Sequence, residues 1–203
     1  MLQSIEISRV KLHQAVYRKL LTAMSRPGSR CPLPTDLGAD PLTLIRVVLE
    51  TLIDHEVTFS VFSQKNSPLD ADCITGWTHA RVAPLETADF LIVQETHSNG
   101  CIRNLKRGTA EMPDTGATAI YQLPAEPNLA IPKCDVRISG PGISPSRETI
   151  LKNMGLAASE WQAIREINQE FPMGVDVFLI LPDVSVIGLP RSAAIKEISP
   201  WPT

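Results

Sequence analysis

The sequence predicts an α/β fold, a single three-layer domain over residues 1–203 with a mixed, mostly parallel sheet covered by helices. Three observations predict it. A wide apolar stripe at helical spacing follows a capping signal at residues 40–53. Short runs rich in β-branched and aromatic residues then recur at 57–62, 90–93, 117–123 and 136–138. Finally, two apolar runs at 175–181 and 184–189 flank Pro182-Asp183, a strong hairpin signal.

The elements follow in order. Val10, Val16, Leu20, Leu21 and Met24 repeat at helical spacing, so a helix is expected from Ser8, its N-cap, to Met24, with Pro27-Gly28 as its stop. In the next helix Asp40 caps, Pro41 takes the first helical position, and Leu44, Ile45, Val48, Leu49, Leu52 and Ile53 form the buried stripe. Val57–Phe62 alternates as a strand, whereas Phe90–Val93 is continuously apolar, as in a strand buried on both faces. Ala117–Leu123 and Val136–Ile138 are further strands, and Ser159 caps a helix reaching Glu170 with Trp161, Ile164 and Ile167 on one face. Residues 145–155 fit helix and extended chain equally. Helices first, interleaved strands and a closing hairpin give one mixed sheet covered on both faces.

Composition excludes several classes of function. With 43% hydrophobic and 20% charged residues, a formal charge of -3 and no basic footprint, nucleic acid is not the expected ligand. Cysteines 31, 73, 101 and 134 lack zinc-like or cluster-like spacing, which implies reduced, mostly buried thiols. The N-terminus has no basic region followed by an apolar run, and no apolar stretch approaches the roughly 20 residues of a membrane span. A cytoplasmic protein without metal or cofactor is therefore expected. His13, His55, His79 and His97 form no ligand pair, and no nucleophile elbow, phosphate loop or dinucleotide fingerprint occurs.

Four short motifs stand out instead. Ser25-Arg26-Pro27-Gly28 ends the first helix and leaves an arginine beside a turn. Arg107-Gly108-Thr109, with Pro113 and Gly116-Ala117-Thr118 after it, offers an anion site or a purely structural turn. Ser139-Gly140-Pro141-Gly142-Ile143 and then Arg147 allow the backbone to approach a phosphate, a neighbouring subunit or another loop. Phe171-Pro172-Met173-Gly174-Val175-Asp176 opens the hairpin and Leu189-Pro190-Arg191 closes it, so Asp176 either faces solvent or pairs in the interior, with Arg191 as its candidate partner. No catalytic residue is assigned. The candidates for anion or subunit contact are Arg26, Gly28, Arg107, Gly108, Thr109, Gly140, Gly142, Arg147, Asp176 and Arg191.

Taken in order along residues 10–198, these motifs, together with Thr51-Leu52-Ile53-Asp54 and Glu56-Val57-Thr58, resemble the PhnH family, the H subunit of the bacterial carbon–phosphorus lyase system. The resemblance implies a fold like the large domain of pyridoxal-phosphate-dependent transferases, without that cofactor. It implies a homodimer when isolated and, in the core complex, the G, I and J subunits as partners, with L joining transiently. The activity it implies is support for transfer of an alkylphosphonate to the ribose C1 of ATP in phosphonate catabolism, this chain being non-catalytic. Two alternatives stay open: a stand-alone nucleotide- or pyridoxal-binding transferase of the same fold, for which Lys106 beside a glycine turn is the candidate lysine, and a phosphonate-binding module.

Overall fold

The structure is a computed structural model, and it describes residues 2–34, 40–63, 69–125, 134–144, 149–152 and 155–200. Helix α1, Leu2–Ser25, starts well before Ser8, which therefore lies inside it and is not its N-cap residue. No proline or glycine stands between Leu2 and Ser8 to interrupt the helix. It ends at the expected Pro27-Gly28, where Gly28 takes a left-handed φ of 76°. After the two-residue strand β1, Cys31–Pro32, helix α2 spans Pro41–Leu52. Asp40 caps it, accepting from the Thr43 backbone N–H at 2.8 Å, and Leu44, Ile45, Val47, Val48 and Leu49 are buried.

Strand β2, Thr58–Phe62, leads into α3, Ala71–Thr78, and then into β3, Arg81–Val82. Strands β4, Phe90–Val93, and β5, Thr118–Gln122, follow, joined by single 3-10 turns at Cys101–Asn104 and Pro113–Thr115. Beyond them come β6, Cys134–Ser139, β7, Thr149–Lys152, and helix α4, Ala158–Ile167. The chain finishes with β8, Asp176–Leu181, β9, Ser185–Leu189, and β10, Ala194–Pro200.

Seven strands form the main sheet in the order β1-β9-β8-β5-β4-β2-β3. Pairings from β3 to β8 are parallel, and those of β9 with β8 and β1 are antiparallel, so the sheet is mixed and mostly parallel. Adjacent residues on each strand enter different cores, as the two-residue period of a strand requires. Ile92, Ile120, Phe178 and Ile180 pack with α1, α2 and α3. Leu91, Val93, Ala119, Tyr121, Val177 and Leu179 pack on the other face with Trp161 and Ile164 of α4.

That second face corrects the expectation of a single sheet. Strand β6, containing the anticipated Val136–Ile138, belongs to a separate antiparallel sheet of order β10-β6-β7. Its alternation is the reason. Cys134, Val136 and Ile138 are buried while Asp135, Arg137 and Ser139 are half-buried, the pattern of a strand with only one face in the core. Helix α4 also departs from expectation, since Ser159 lies inside it, Ala157 is the residue before it, and it stops at Ile167, short of Glu170. The undecided stretch 145–155 contributes β7; residues 145–148 and 153–154 lie outside the described residues.

Candidate functional site

At the amino ends of β5 and β8 the sequence-selected motifs meet. Arg191 Nη2 lies 2.7 Å from Asp176 Oδ2, and its backbone N–H donates to Asp176 Oδ1 at 2.8 Å. A third contact runs from Arg191 Nη1 to the Pro113 carbonyl. Of the two alternatives for Asp176 the paired one is observed, and the pair ties the hairpin to the turn before β5. A Cβ on Gly116 would stand 2.6 Å from both Arg191 Nη1 and the Gly174 carbonyl, so only glycine fits there. Arg107 accepts from Gly174 N–H at 2.9 Å through its carbonyl, and its guanidinium lies 3.6 Å from Glu170. Gly108 adopts a φ of 75° with Pro113 and Met112 packed where a side chain would be. Thr109 closes the same turn, with Oγ1 accepting from Met112 N–H at 3.0 Å.

A second group lies beside it. Gly28 donates to the Gly188 carbonyl at 3.1 Å, and a Cβ there would reach within 2.6 Å of Ile138. Gly140 abuts the Ser192 carbonyl and Gly142 the Ser25 carbonyl, which joins the small sheet to the end of α1 and to the segment after Arg191. Gly140 and Gly142 thus pack closely against other segments of the same chain. Arg26 is exposed and joins neither group, and Arg147 lies outside the described residues.

Lys106 sits at the amino end of the sheet, its Nζ 2.5 Å from Asp89 Oδ1, while Thr58 donates to Asp89 Oδ2 through its backbone N–H and its hydroxyl, each at 2.7 Å. Partial burial pushes the Asp89 pKa up, but the bonds from Lys106 and Thr58 outweigh it and hold the carboxyl below its usual range. The amine proposed as a Schiff-base lysine is thus engaged in an ion pair.

The opposite end of the sheet carries features that sequence reasoning missed. Ligands of open α/β sheets bind beyond the carboxyl ends of the strands, and here a cavity of about 460 Å³ lies there. Asp40, Pro41 and Leu42 at the start of α2, Gln94, and Gln122, Leu123, Ile180 and Leu181 at the strand ends line it. Gln94 Nε2 donates to Gln122 Oε1 at 3.0 Å, and Gln122 Nε2 to the Pro41 carbonyl at 2.6 Å. Among the described lining residues there is no lysine, arginine or histidine, so these residues offer no cation to a phosphonate oxygen.

Just beyond β4, Glu160 is 1% exposed and accepts from Ser98 Oγ and Tyr121 Oη, each at 2.5 Å. Burial and the Glu160 carboxylate push the Tyr121 pKa well above the ordinary phenol value, so the phenol stays a donor. His97 stacks edge-on against Phe62 with ring centroids 6.4 Å apart, and its buried Nδ1 has no hydrogen-bond partner among the described residues. Nothing in the local sequence marks Glu160, because its partners are 39 and 62 residues away. All four cysteines are free: Cys31 and Cys134 are buried, but Cys73 and Cys101 are only half-buried, fewer than expected. Among the described residues no three His, Cys, Asp or Glu side chains group to hold a metal, and no helix is long and apolar enough to cross a membrane.

Residues 7–196 match the family described as bacterial phosphonate metabolism protein, PhnH. The chain belongs to this family. It is also similar to HtxG of Stutzerimonas stutzeri, a protein named as a candidate C-P lyase subunit, at 31% identity over 189 residues, covering 90% of this chain and 85% of that protein. The PhnH match encloses both motif groups and the cavity, so the resemblance drawn from motif order holds along nearly the whole chain.

Proposed function

We propose that the chain is a non-catalytic subunit of a carbon–phosphorus lyase core complex and supports transfer of an alkylphosphonate to the ribose C1 of ATP. One observation carries this reading: family membership over residues 7–196, joined to similarity with a protein named as a candidate C-P lyase subunit. The geometry supports the non-catalytic part. Arg191, Arg107 and the motif glycines make contacts within the chain, and the described residues lining the cavity include no lysine, arginine or histidine. In the proposed assembly the partners are the G, I and J subunits, with L joining transiently, and the isolated chain is a cytoplasmic homodimer resembling the large domain of pyridoxal-dependent transferases without the cofactor.

Co-expression with the G, I and J proteins from the same genome tests the reading. The chain is expected to co-elute with them on size exclusion, and its deletion is expected to abolish growth on methylphosphonate as sole phosphorus source. Elution as an isolated species in their presence, together with undiminished growth of the deletion strain, overturns the proposal.

A further inference from the structure

Helix α1 carries apolar residues on a second face, about 120° around the helix from its buried one, unlike α2. Val16, Leu20 and Ala23 are buried against the sheet, while Val10, Tyr17 and Leu21 are 66%, 47% and 52% exposed. At 3.6 residues per turn these three exposed positions fall within an arc of about 40° and make one strip along three turns. Three large apolar side chains in one exposed row differ from the scattered single ones that surfaces normally carry.

The strip has a charged border. Residues 9–30 contain Arg9, Lys11, Arg18, Lys19, Arg26 and Arg30 and no aspartate or glutamate, in a chain of formal charge -3. Arg9 is engaged by Glu50 at 2.8 Å and Arg30 by Asp183 at 2.5 Å. The other four are exposed and have no carboxylate partner among the described residues. Lys11 and Arg18 follow Val10 and Tyr17 directly, which places them on one flank of the strip, about 80–100° around the helix from its centre. Two copies meeting through this face would set like charges against each other.

We infer that the outer face of α1 docks the chain onto another protein of the phosphonate-degrading assembly, at an apolar groove rimmed by aspartate and glutamate. This rests on the function proposed above. The apolar strip supplies the buried centre of the contact, and the cations supply its orientation and its salt-sensitive association rate.

The test uses the full chain co-expressed with the G, I and J proteins. Tyr17→Glu/Leu21→Glu places carboxylates in the centre, and Lys11→Glu/Arg18→Glu reverses the border; both alter exposed positions. The first is expected to weaken assembly at least about tenfold, as interface centres do. The second is expected to weaken it at low salt and to lose most of the salt dependence of the wild type. Asp72→Lys, on the exposed side of α3, leaves assembly unchanged, and melting temperatures confirm that all variants fold. Undiminished assembly of both α1 variants overturns the inference. So does loss of the isolated homodimer in either variant, which assigns the face to a second copy. Sedimentation of the isolated chain with phosphatidylglycerol vesicles, abolished by Lys11→Glu/Arg18→Glu, overturns it in favour of a lipid surface. If the wild type itself enters no complex, the proposed function fails and this surface fails with it; if the wild type and both α1 variants assemble alike, the surface alone fails.

Discussion

Asp89, Tyr121 and Arg191 each hold a polar group out of water by a different balance. The Asp89 carboxyl is depressed below its ordinary range, so it contributes stability above its unfolded-state value and loses it as pH falls through the folded one. Stability measured by urea unfolding should therefore drop below about pH 4, and Asp89→Asn should flatten that part of the profile. Tyr121 donates to a carboxylate that is 1% exposed, so Tyr121→Phe leaves Glu160, among the described residues, with the Ser98 hydroxyl alone. An expected loss of about 1–3 kcal/mol follows from the lost partner of a buried acceptor, read from the same denaturation experiment. For Arg191→Ala the expected cost is about 2–4 kcal/mol, below the full value for a buried pair because Asp176 keeps 27% of its side chain exposed. The Asp176–Arg191 pair was legible because both residues bracket one hairpin. Glu160 was not, since its partners come from separate strands and loops that the chain joins only on folding.

Elements were legible where local chemistry and tertiary packing agree. Helix α2 carries cap, proline and stripe in one segment, and the structure has each in place. Helix α3 lacks such a stripe: Ala71–Thr78 includes a glycine and β-branched residues, and only its Asp70 cap, accepting from Cys73 N–H, marks it. Gly76 in that helix has open space where a Cβ would lie, so Gly76→Ala is expected to stabilise by about 0.5–1 kcal/mol. Gly188 of β9 is the opposite case. A Cβ there would stand 2.6–2.7 Å from the backbone of Ala23 and Met24, so Gly188→Ala must push α1 off the sheet. The expected loss is about 1–3 kcal/mol, and comparing the thermal midpoints of the two variants checks both signs.

Across the molecule, two cores share one sheet, with neighbouring residues such as Leu91 and Ile92 facing different layers. Trp161 lies in one core and Trp77 packs against the other. With Trp201 replaced by phenylalanine, single-tryptophan variants retaining either reporter are expected to unfold at the same urea midpoint, because one sheet cannot lose a face alone. Two separate midpoints would show that the layers melt independently. The sequence alone determined the α/β class, the five longer strands of the main sheet, the hairpin and the family, because each rests on local periodicity, turn chemistry or motif order, whereas the two-residue strands β1 and β3 are too short to leave such a pattern. Tertiary structure alone decided that β6 leaves the main sheet, that the motif glycines serve close contacts within the chain, and that a buried carboxylate and a cavity sit at the carboxyl ends. Those depend on which distant residues become neighbours, and a one-dimensional pattern carries no distances between segments that meet only in the folded chain.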